Sequence, residues 1–358
     1  MKGYDRHDEV LNTQQLLLSI IDLANQRGAH PDKLLKGTKI FYNDLTKVNV
    51  NKKPLSCSAN TLLTVIENCS KLIKGNEISF LLGRRYFPSQ LGLLGQAFMN
   101  CRHLADMLRL CQCFQLDCFP LMNLTIKNFN GKSYLLFQSA VGKLSHNQQI
   151  FITEFMLSAL LGAIKYRCGE LPELYIYLDY PQVEHIEQYH THLNMSNHKT
   201  IKFEQQICMV TIDSQKLYLP FNDSAKSLKL LALQQLRQDA QLNNQQYPIS
   251  FTQQLIRYIN QCIATKVDVS QESCAQHFGY SSATLKRKLA SHALNYQGVI
   301  DNIRSQQAIF QLIICHDSNE KIADALYFTD VSNFRKAFKR WTGMTPNSMR
   351  ERLLIALN

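Results

Sequence analysis

The chain has 358 residues, enough for two ordinary domains and a linker. Lys and Arg total 39 against 28 Asp and Glu, a formal net charge of +11, and the isoelectric point is near 9.1. With 45% apolar and 19% charged residues, the chain can bury a substantial core, which excludes wholesale disorder. The basic balance points to an acidic partner, nucleic acid or a membrane surface, without choosing between them.

Met1 to Val10 is polar and has no apolar h-region, so a secretory signal is not expected. The longest apolar stretch, around Phe155 to Ile164, is too short to span a bilayer, and no membrane association is expected. The 11 cysteines are an odd number without framework spacing, which fits reduced, mostly buried thiols in a cytoplasmic protein.

Along the first 238 residues the pattern is mixed. Gln14 to Arg27 is amphipathic through Leu17, Leu18, Ile21 and Ala24, and Ala59 to Lys74 reads as a second helix. In Phe80 to Phe114 a Gly/Pro-containing turn leads into what reads as one long apolar helix. Leu121 to Lys127 and Tyr134 to Ala140 alternate as strands around Asn130-Gly131, the strongest short hairpin signal. Asn147 to Arg167 is helical again, while Leu174 to Leu178 and Ile207 to Ile212 read as strands. The expected class is α+β, with helices packed on a modest sheet.

Two clusters within this part invite a metal reading, and both are read otherwise. Cys111, Cys113 and Cys118 lie in a helical stretch where i and i+2 side chains diverge, and their spacing matches no common zinc site. His185, His190, His192 and His198 sit on a polar segment and are expected to be solvated or locally hydrogen-bonded. Neither a metal nor a cofactor is expected.

Gln234 to Tyr247, QQLRQDAQLNNQQY, is rich in Gln and Asn and ends at Pro248, as a frayed helix end and linker would. The expected division is 1–238, a linker at 239–250, and 251–358. Ile249 to Asn358 holds 13 Lys and Arg against 8 Asp and Glu, so its net positive charge per residue is about twice that of the remainder.

The C-terminal part reads as an all-α domain. Leu255, Ile256, Ile259, Cys262 and Ile263 form one helical face. A short helix capped by Ser270 carries Cys274, Ala275 and Phe278 inward and stops at Gly279-Tyr280. Ser281 caps the next helix, which buries Leu285 and Leu289 and shows Lys286, Arg287 and Lys288 on its other face. Two short helices around a Gly-containing turn make a helix-turn-helix pattern.

The pattern then recurs. Asp317 and Glu320 are spaced as a capping pair ahead of Ile322, Ala323 and Leu326, and a break at Tyr327-Phe328-Thr329 follows. Asp330 caps a helix with Phe334, Ala337, Phe338 and Trp341 buried, and Ser332, Asn333, Arg335, Lys336, Lys339 and Arg340 opposite. Between the units, Tyr296 to Ile314 is an uninterrupted helical pattern. Its 19 residues span roughly 28 Å, against the ~34 Å between successive major-groove faces. Two basic helices could then enter adjacent grooves of double-stranded DNA from one chain.

At this point the residues resemble a known family. Val269 to Arg350 is similar to the paired helix-turn-helix domain of the AraC/XylS transcription regulators. The resemblance rests on Ile322-Ala323, Phe328, Asp330, Ser332, Phe334, Ala337-Phe338-Lys339-Arg340, Gly343, Thr345-Pro346 and Arg304. One departure stands out: Tyr327 occupies the position where the family usually has Gly, and a tyrosine at positive φ costs energy. The turn is therefore open to being rebuilt.

For base edges the candidates in the first unit are Lys286 and Arg287, with Ala283 placed for a thymine methyl. The resemblance gives the same roles to Val331, Ser332, Arg335 and Lys336. Ser281, Thr329, Lys339 and Arg340 are assigned to phosphates, as is Asn333, which also suits an adenine.

LLGRRYFPSQLGLLGQAF, with IKFEQQ and LYLPF further on, is similar to the long N-terminal domain of some AraC/XylS members. This implies effector sensing and dimerisation, hence a small-molecule effector and a homodimer, with RNA polymerase as a further partner. Arg84 and Arg85, with Tyr86 and Phe87 as an apolar wall, are the weak candidates for an effector carboxylate. The expected function is an effector-controlled regulator of transcription, leaning toward activation. One alternative is a constitutive or partner-controlled regulator whose N-terminal domain only dimerises. The other is an enzyme fused to a DNA-binding module, for which no nucleophile elbow or phosphate-cradling loop is present.

Overall fold

A computed structural model describes residues 3–12, 14–46, 55–75, 77–193, 200–242 and 249–357. They divide into two compact units. One gathers the described parts of 6–204 and 209–249; the other comprises 3–5, 205–208 and 250–357.

The larger unit opens with α1 (Gln14–Asn25), two short helices, α2 (Pro31–Leu34) and α3 (Tyr42–Thr46), and α4 (Ala59–Leu72). There follow α5 (Ile78–Tyr86), α6 (Gly92–Met99), α7 (Leu104–Cys113) and α8 (Gln115–Cys118). The stretch that follows the Gly/Pro-containing turn is thus two helices, α6 and α7, and not one long one. The last break falls where His103 caps α7, its ring accepting from the Asp106 amide at 3.1 Å.

The strands β1 (Met122–Phe129) and β2 (Lys132–Ser139) form a hairpin closed by Asn130 at φ 46° and Gly131 at φ 72°. Both positive torsions are what a two-residue turn matched to the strand twist requires. β3 (Leu174–Tyr177), β4 (Ile201–Lys202) and β5 (Met209–Asp213) complete a sheet in the order β1-β2-β5-β3-β4. All pairs are antiparallel except β3 with β4. Ser133 to Phe137 of β2 are buried without alternation, so both faces of that strand are covered.

α9 (His146–Cys168) is the centre of this unit. Ser145 and Gln148 open it with a reciprocal capping box. Phe151 to Leu161 are buried on every side, the mark of a helix enclosed by others. Its length and composition would let it cross a membrane, but neighbours in the unit cover it. α5 packs closest, because Gly83 brings its backbone onto Phe155 and Ser158, where an added Cβ would lie 2.5 Å from the Phe155 carbonyl oxygen. Ser158 in turn donates to the Phe80 carbonyl at 2.7 Å. α10 (Ile186–Leu193) and α11 (Lys226–Leu242) complete the unit. α11 stays helical past residue 239, where the linker is expected to begin, and 243–248 lie outside the described residues.

The second unit is helical: α12 (Phe251–Ala264), α13 (Gln271–His277), α14 (Ser282–Ser291), α15 (Tyr296–Ile313), α16 (Asn319–Ala325), α17 (Val331–Thr342) and α18 (Pro346–Leu357). Ser250, Ser270, Ser281, Asn295, Ser318 and Asp330 each cap a helix, the side chain accepting a backbone N–H three residues on. The cap of α16 is Ser318, in place of the expected Asp317–Glu320 pair. Asp317 instead holds Lys321 at 2.6 Å, and its carbonyl accepts from Arg350 at 2.6 Å.

The two helix-turn-helix units close with the same hydrogen bonds. In the first, Gly279 takes φ 69°; its N–H reaches the Gln276 carbonyl at 3.0 Å, and the Tyr280 N–H reaches Ala275 at 2.8 Å. In the second, Tyr327 takes φ 58°; its N–H reaches Asp324 at 3.1 Å, and the Phe328 N–H reaches Ala323 at 2.9 Å. The turn is not rebuilt around the tyrosine. Tyr327 adopts the left-handed torsion itself and leaves its ring exposed.

A short piece of the chain's start belongs to this unit. The Tyr4 carbonyl accepts the Phe251 N–H at 2.9 Å. Asp5 pairs with Lys288 and lies 3.2 Å from Nε2 of the buried His292. Lys288 also sits 5.0 Å from the Phe251 ring centroid and 5.6 Å from that of Tyr280. It therefore departs from the outward face expected for it beside Lys286 and Arg287. Desolvation pushes the Asp5 carboxyl up, but hydrogen bonds and charge from Lys288 and His292 outweigh it and leave the pKa lowered.

Two outcomes follow from these features. Tyr327→Gly should raise the unfolding free energy by about 1 kcal/mol, since relief of left-handed strain exceeds the entropy gained by the unfolded chain. Denaturant titration reads this, and an unchanged or lowered midpoint would show that the strain at the tyrosine does not exceed that entropy. Because the folded pKa of Asp5 is depressed, its contribution is complete above the ordinary value of 3.8 and fades as pH falls through the folded value. The stability difference between wild type and Asp5→Asn should accordingly shrink in acid; a difference that grows there would contradict the pairing.

Candidate nucleic-acid interface

α14 and α17 each bury one face and expose the other. On α14, Leu285 and Leu289 face the core, while Ala283, Lys286 and Arg287 are exposed. These three stand at i, i+3 and i+4, so they share one strip of surface. On α17, Phe334 and Phe338 are fully buried and Ala337 nearly so, with Trp341 half-buried against Phe328 at 6.0 Å. Ser332, Arg335, Lys336 and Lys339 are exposed at i, i+3, i+4 and i+7, with Val331 half-buried at the first turn.

α15 joins the two units. Its 18 residues correspond to roughly 27 Å, one residue shorter than its sequence pattern. Arg304 on this strut lies 5.0 Å from the centroid of Phe328, the first residue after the left-handed turn. Burial lowers the Arg304 pKa, but a guanidinium is not deprotonated in proteins, so a cation lies against the ring.

The cations of the two exposed strips differ in what they already hold. Lys286, Arg287, Lys336 and Lys339 make no ion pair among the described residues. Arg340 forms a two-pronged bond to Asp301 of α15, at 2.9 and 3.0 Å. Arg335 lies 3.8 Å from Glu320 of α16. Exposed pairs of this kind are worth about 0–1 kcal/mol, so a phosphate can displace the carboxylate at small cost. Asp301 was not singled out from the sequence, and Glu320 was read only as the capping partner of Asp317; an acidic residue opposite a helix face has no local signature.

Asn333 is committed more firmly. Its amide nitrogen donates to Asp330 Oδ2 at 2.7 Å and to Thr329 Oγ1 at 3.0 Å. It thus braces the cap of α17, and Thr329 is drawn into the same brace. Ser281 uses its oxygen to cap α14, accepting the Thr284 N–H at 3.2 Å. Its side chain is exposed.

In the larger unit, the four weak candidates for effector binding do not come together. Arg84 and Arg85 are exposed on the last turn of α5. Tyr86 points into the core, its hydroxyl donating to the Asp117 carbonyl at 2.7 Å, and Phe87 is half-buried near Phe98 and Tyr166. Cys111 and Cys118 are buried, whereas Cys113 is exposed. His185 is bonded to the buried Glu154, a partner no local pattern could indicate; His198 lies outside the described residues.

Comparison with known proteins gives this arrangement its context. Residues 274–352 match a helix-turn-helix domain family, and residues 28–221, more than half of the chain, match the arabinose-binding N-terminal domain of AraC transcription regulators. The Ornithine utilization regulator of Pseudomonas aeruginosa is 39% identical over 80 residues, covering 22% of this chain and 24% of that one. The HTH-type transcriptional regulator VqsM of the same organism is 30% identical over 76 residues, covering 21% and 23%. The match thus spans about a quarter of the length of these relatives. The crystal structure of the transcriptional regulator CdpR from Pseudomonas aeruginosa is 17% identical with a TM-score of 0.46, over 98% of this chain and 99% of that one. With more than half of the chain matched to their N-terminal domain and residues 274–352 to a helix-turn-helix domain, the chain belongs to the family of AraC transcription regulators.

Proposed function

We propose that this regulator binds a specific promoter or operator sequence in the cytoplasm, with α14 and α17 as its two readers, and activates transcription through RNA polymerase. The observation that carries the reading is the pair of capped helices on the two ends of one strut, each exposing cations that make no ion pair among the described residues. Ala283, Lys286, Arg287, Val331, Ser332, Arg335 and Lys336 are the base readers. Ser281, Thr329, Lys339 and Arg340 hold phosphates, and Asn333 contributes by keeping the α17 cap in place.

The N-terminal unit controls this activity by binding a small-molecule effector that shifts the population competent for the promoter. It also pairs two copies of the chain. Leu228, Leu230 and Leu231 of α11 are exposed, and apolar side chains grouped on one helix support a homodimer.

Selection of sites from random DNA tests the reading directly: an enriched sequence is expected, and none under any condition would refute sequence-specific control. On the selected site, Arg287→Ala should cost about 1–3 kcal/mol and relax preference at one base pair. Lys339→Ala should weaken every sequence alike and lower the salt slope by about 1. The reverse pattern, uniform weakening by Arg287→Ala and lost preference with Lys339→Ala, would exchange the two roles.

A further inference from the structure

The N-terminal unit holds a cavity of about 450 Å³ that no part of the DNA-binding function uses. Its walls come from the end of α4, Ile73 and Gly75, the first turn of α5, the first turns of α9 and the segment before α10. The volume falls within the range of small-molecule sites.

Glu154 of α9 lines it, with its side chain only 3% exposed. Ser79 donates to Oε2 at 2.6 Å, Tyr189 to Oε1 at 2.9 Å, and His185 Nε2 lies 2.5 Å from Oε1. Tyr180 and Tyr189 share a further hydroxyl bond at 2.8 Å. A carboxylate offers about four acceptor positions, and three are filled here. Ser79 and His185 line the cavity along with Glu154.

The charge of the walls is one-sided. Glu154 and Glu184 are carboxylates, His146 and His185 are titratable rings, and among the described residues no Lys or Arg lines the cavity. Ile73, Ile78, Ile150, Phe151 and Val183 supply apolar surface beside them. A buried carboxylate that is hydrogen-bonded but lacks a permanent cation retains a negative potential, and such a potential is offset by a cation delivered from outside.

We propose that this cavity binds a small aliphatic ammonium ion, its nitrogen donating to Glu154 and its carbon chain lying on the isoleucine-lined wall. Glu184 at the rim contributes charge. The inference rests on the reading of the N-terminal unit as an effector-binding domain and names the chemistry of that effector. Because Glu154 joins α5, α9 and α10 through Ser79 and Tyr189, an ammonium ion drawing on the same oxygens changes how these elements are held.

The full-length protein tests this with 1,4-diaminobutane and butylamine as probes, and succinate, 1,4-butanediol and arabinose as controls. Calorimetry and thermal unfolding should show saturable binding and a raised midpoint with the amines alone. Glu154→Gln should weaken amine binding about tenfold or more. Glu184→Gln, at an exposed rim position, should weaken it about twofold to fivefold. Asn147→Trp, also exposed, should block the entrance while leaving Glu154 intact. If Glu154→Gln does not fold, the two exposed variants decide. Equal binding of the diol or arabinose, no amine binding, or amine binding untouched by these variants would overturn the proposal. Promoter titration with and without amine separates the two readings. Amine binding without any change in promoter affinity would sustain the site and refute effector control through it; promoter control by a different compound, with no amine bound, would refute the site alone.

Discussion

A helix turns sharply onto the next when one residue between them accepts a backbone torsion near +60°, and the DNA-binding unit does this twice, at Gly279 and Tyr327. Each turn closes with the same two backbone bonds, which fix the direction in which the following helix leaves. The exposed strips of α14 and α17 depend on that direction, since a helix rotated by one residue would turn its basic face by about 100°. Glycine meets the requirement without steric cost; tyrosine meets it only because the flanking contacts over-determine it. Those contacts are visible: Leu326 and Ala323 are buried on one side, and Phe328 packs among Phe334, edge to face, Trp341 and Arg304 on the other.

The same unit divides its cations between structure and partner. Lys288, Arg304 and Arg350 are turned inward or along the surface to Asp5, to the Phe328 ring and to the Asp317 carbonyl. Lys286, Arg287, Lys336 and Lys339 carry no such duty among the described residues. Net charge is therefore a coarse guide, because a lysine held by Asp5 adds nothing to the field a phosphate meets at short range. Arg340 stands between the two groups, with a carboxylate partner it can exchange.

The parts that were legible in the sequence are those with local causes. Serine and aspartate before an apolar run announced the starts of α13, α14 and α17, and Asn130-Gly131 announced the hairpin. Asp317 with Glu320 misled by one residue, because Ser318 between them is an equally good cap and left Asp317 to receive Lys321. The break at His103 was missed for a related reason: a histidine ring is an unusual cap, and the apolar residues around it continue the helical period. For the exposed strips, the burial of Leu285, Leu289, Phe334 and Phe338 defined the opposite face, so their composition was readable while their use by Asp301 or Glu320 was not.

What periodicity does not convey is pairing at long range. Asp5 meets Lys288 and His292 across more than 280 residues of sequence, and Glu154 gathers donors from Ser79, His185 and Tyr189. Each of these acids looks ordinary in its own neighbourhood; Glu154 even interrupts an apolar helix as though it were a surface position. A buried carboxylate must be hydrogen-bonded or it neutralises, so the fold has to supply partners from other elements. An acidic residue inside an apolar helical run is therefore a mark of convergence whose partners the sequence leaves unnamed. In this protein the two convergences fall at α14 and at a cavity, the places proposed to meet DNA and a small ligand.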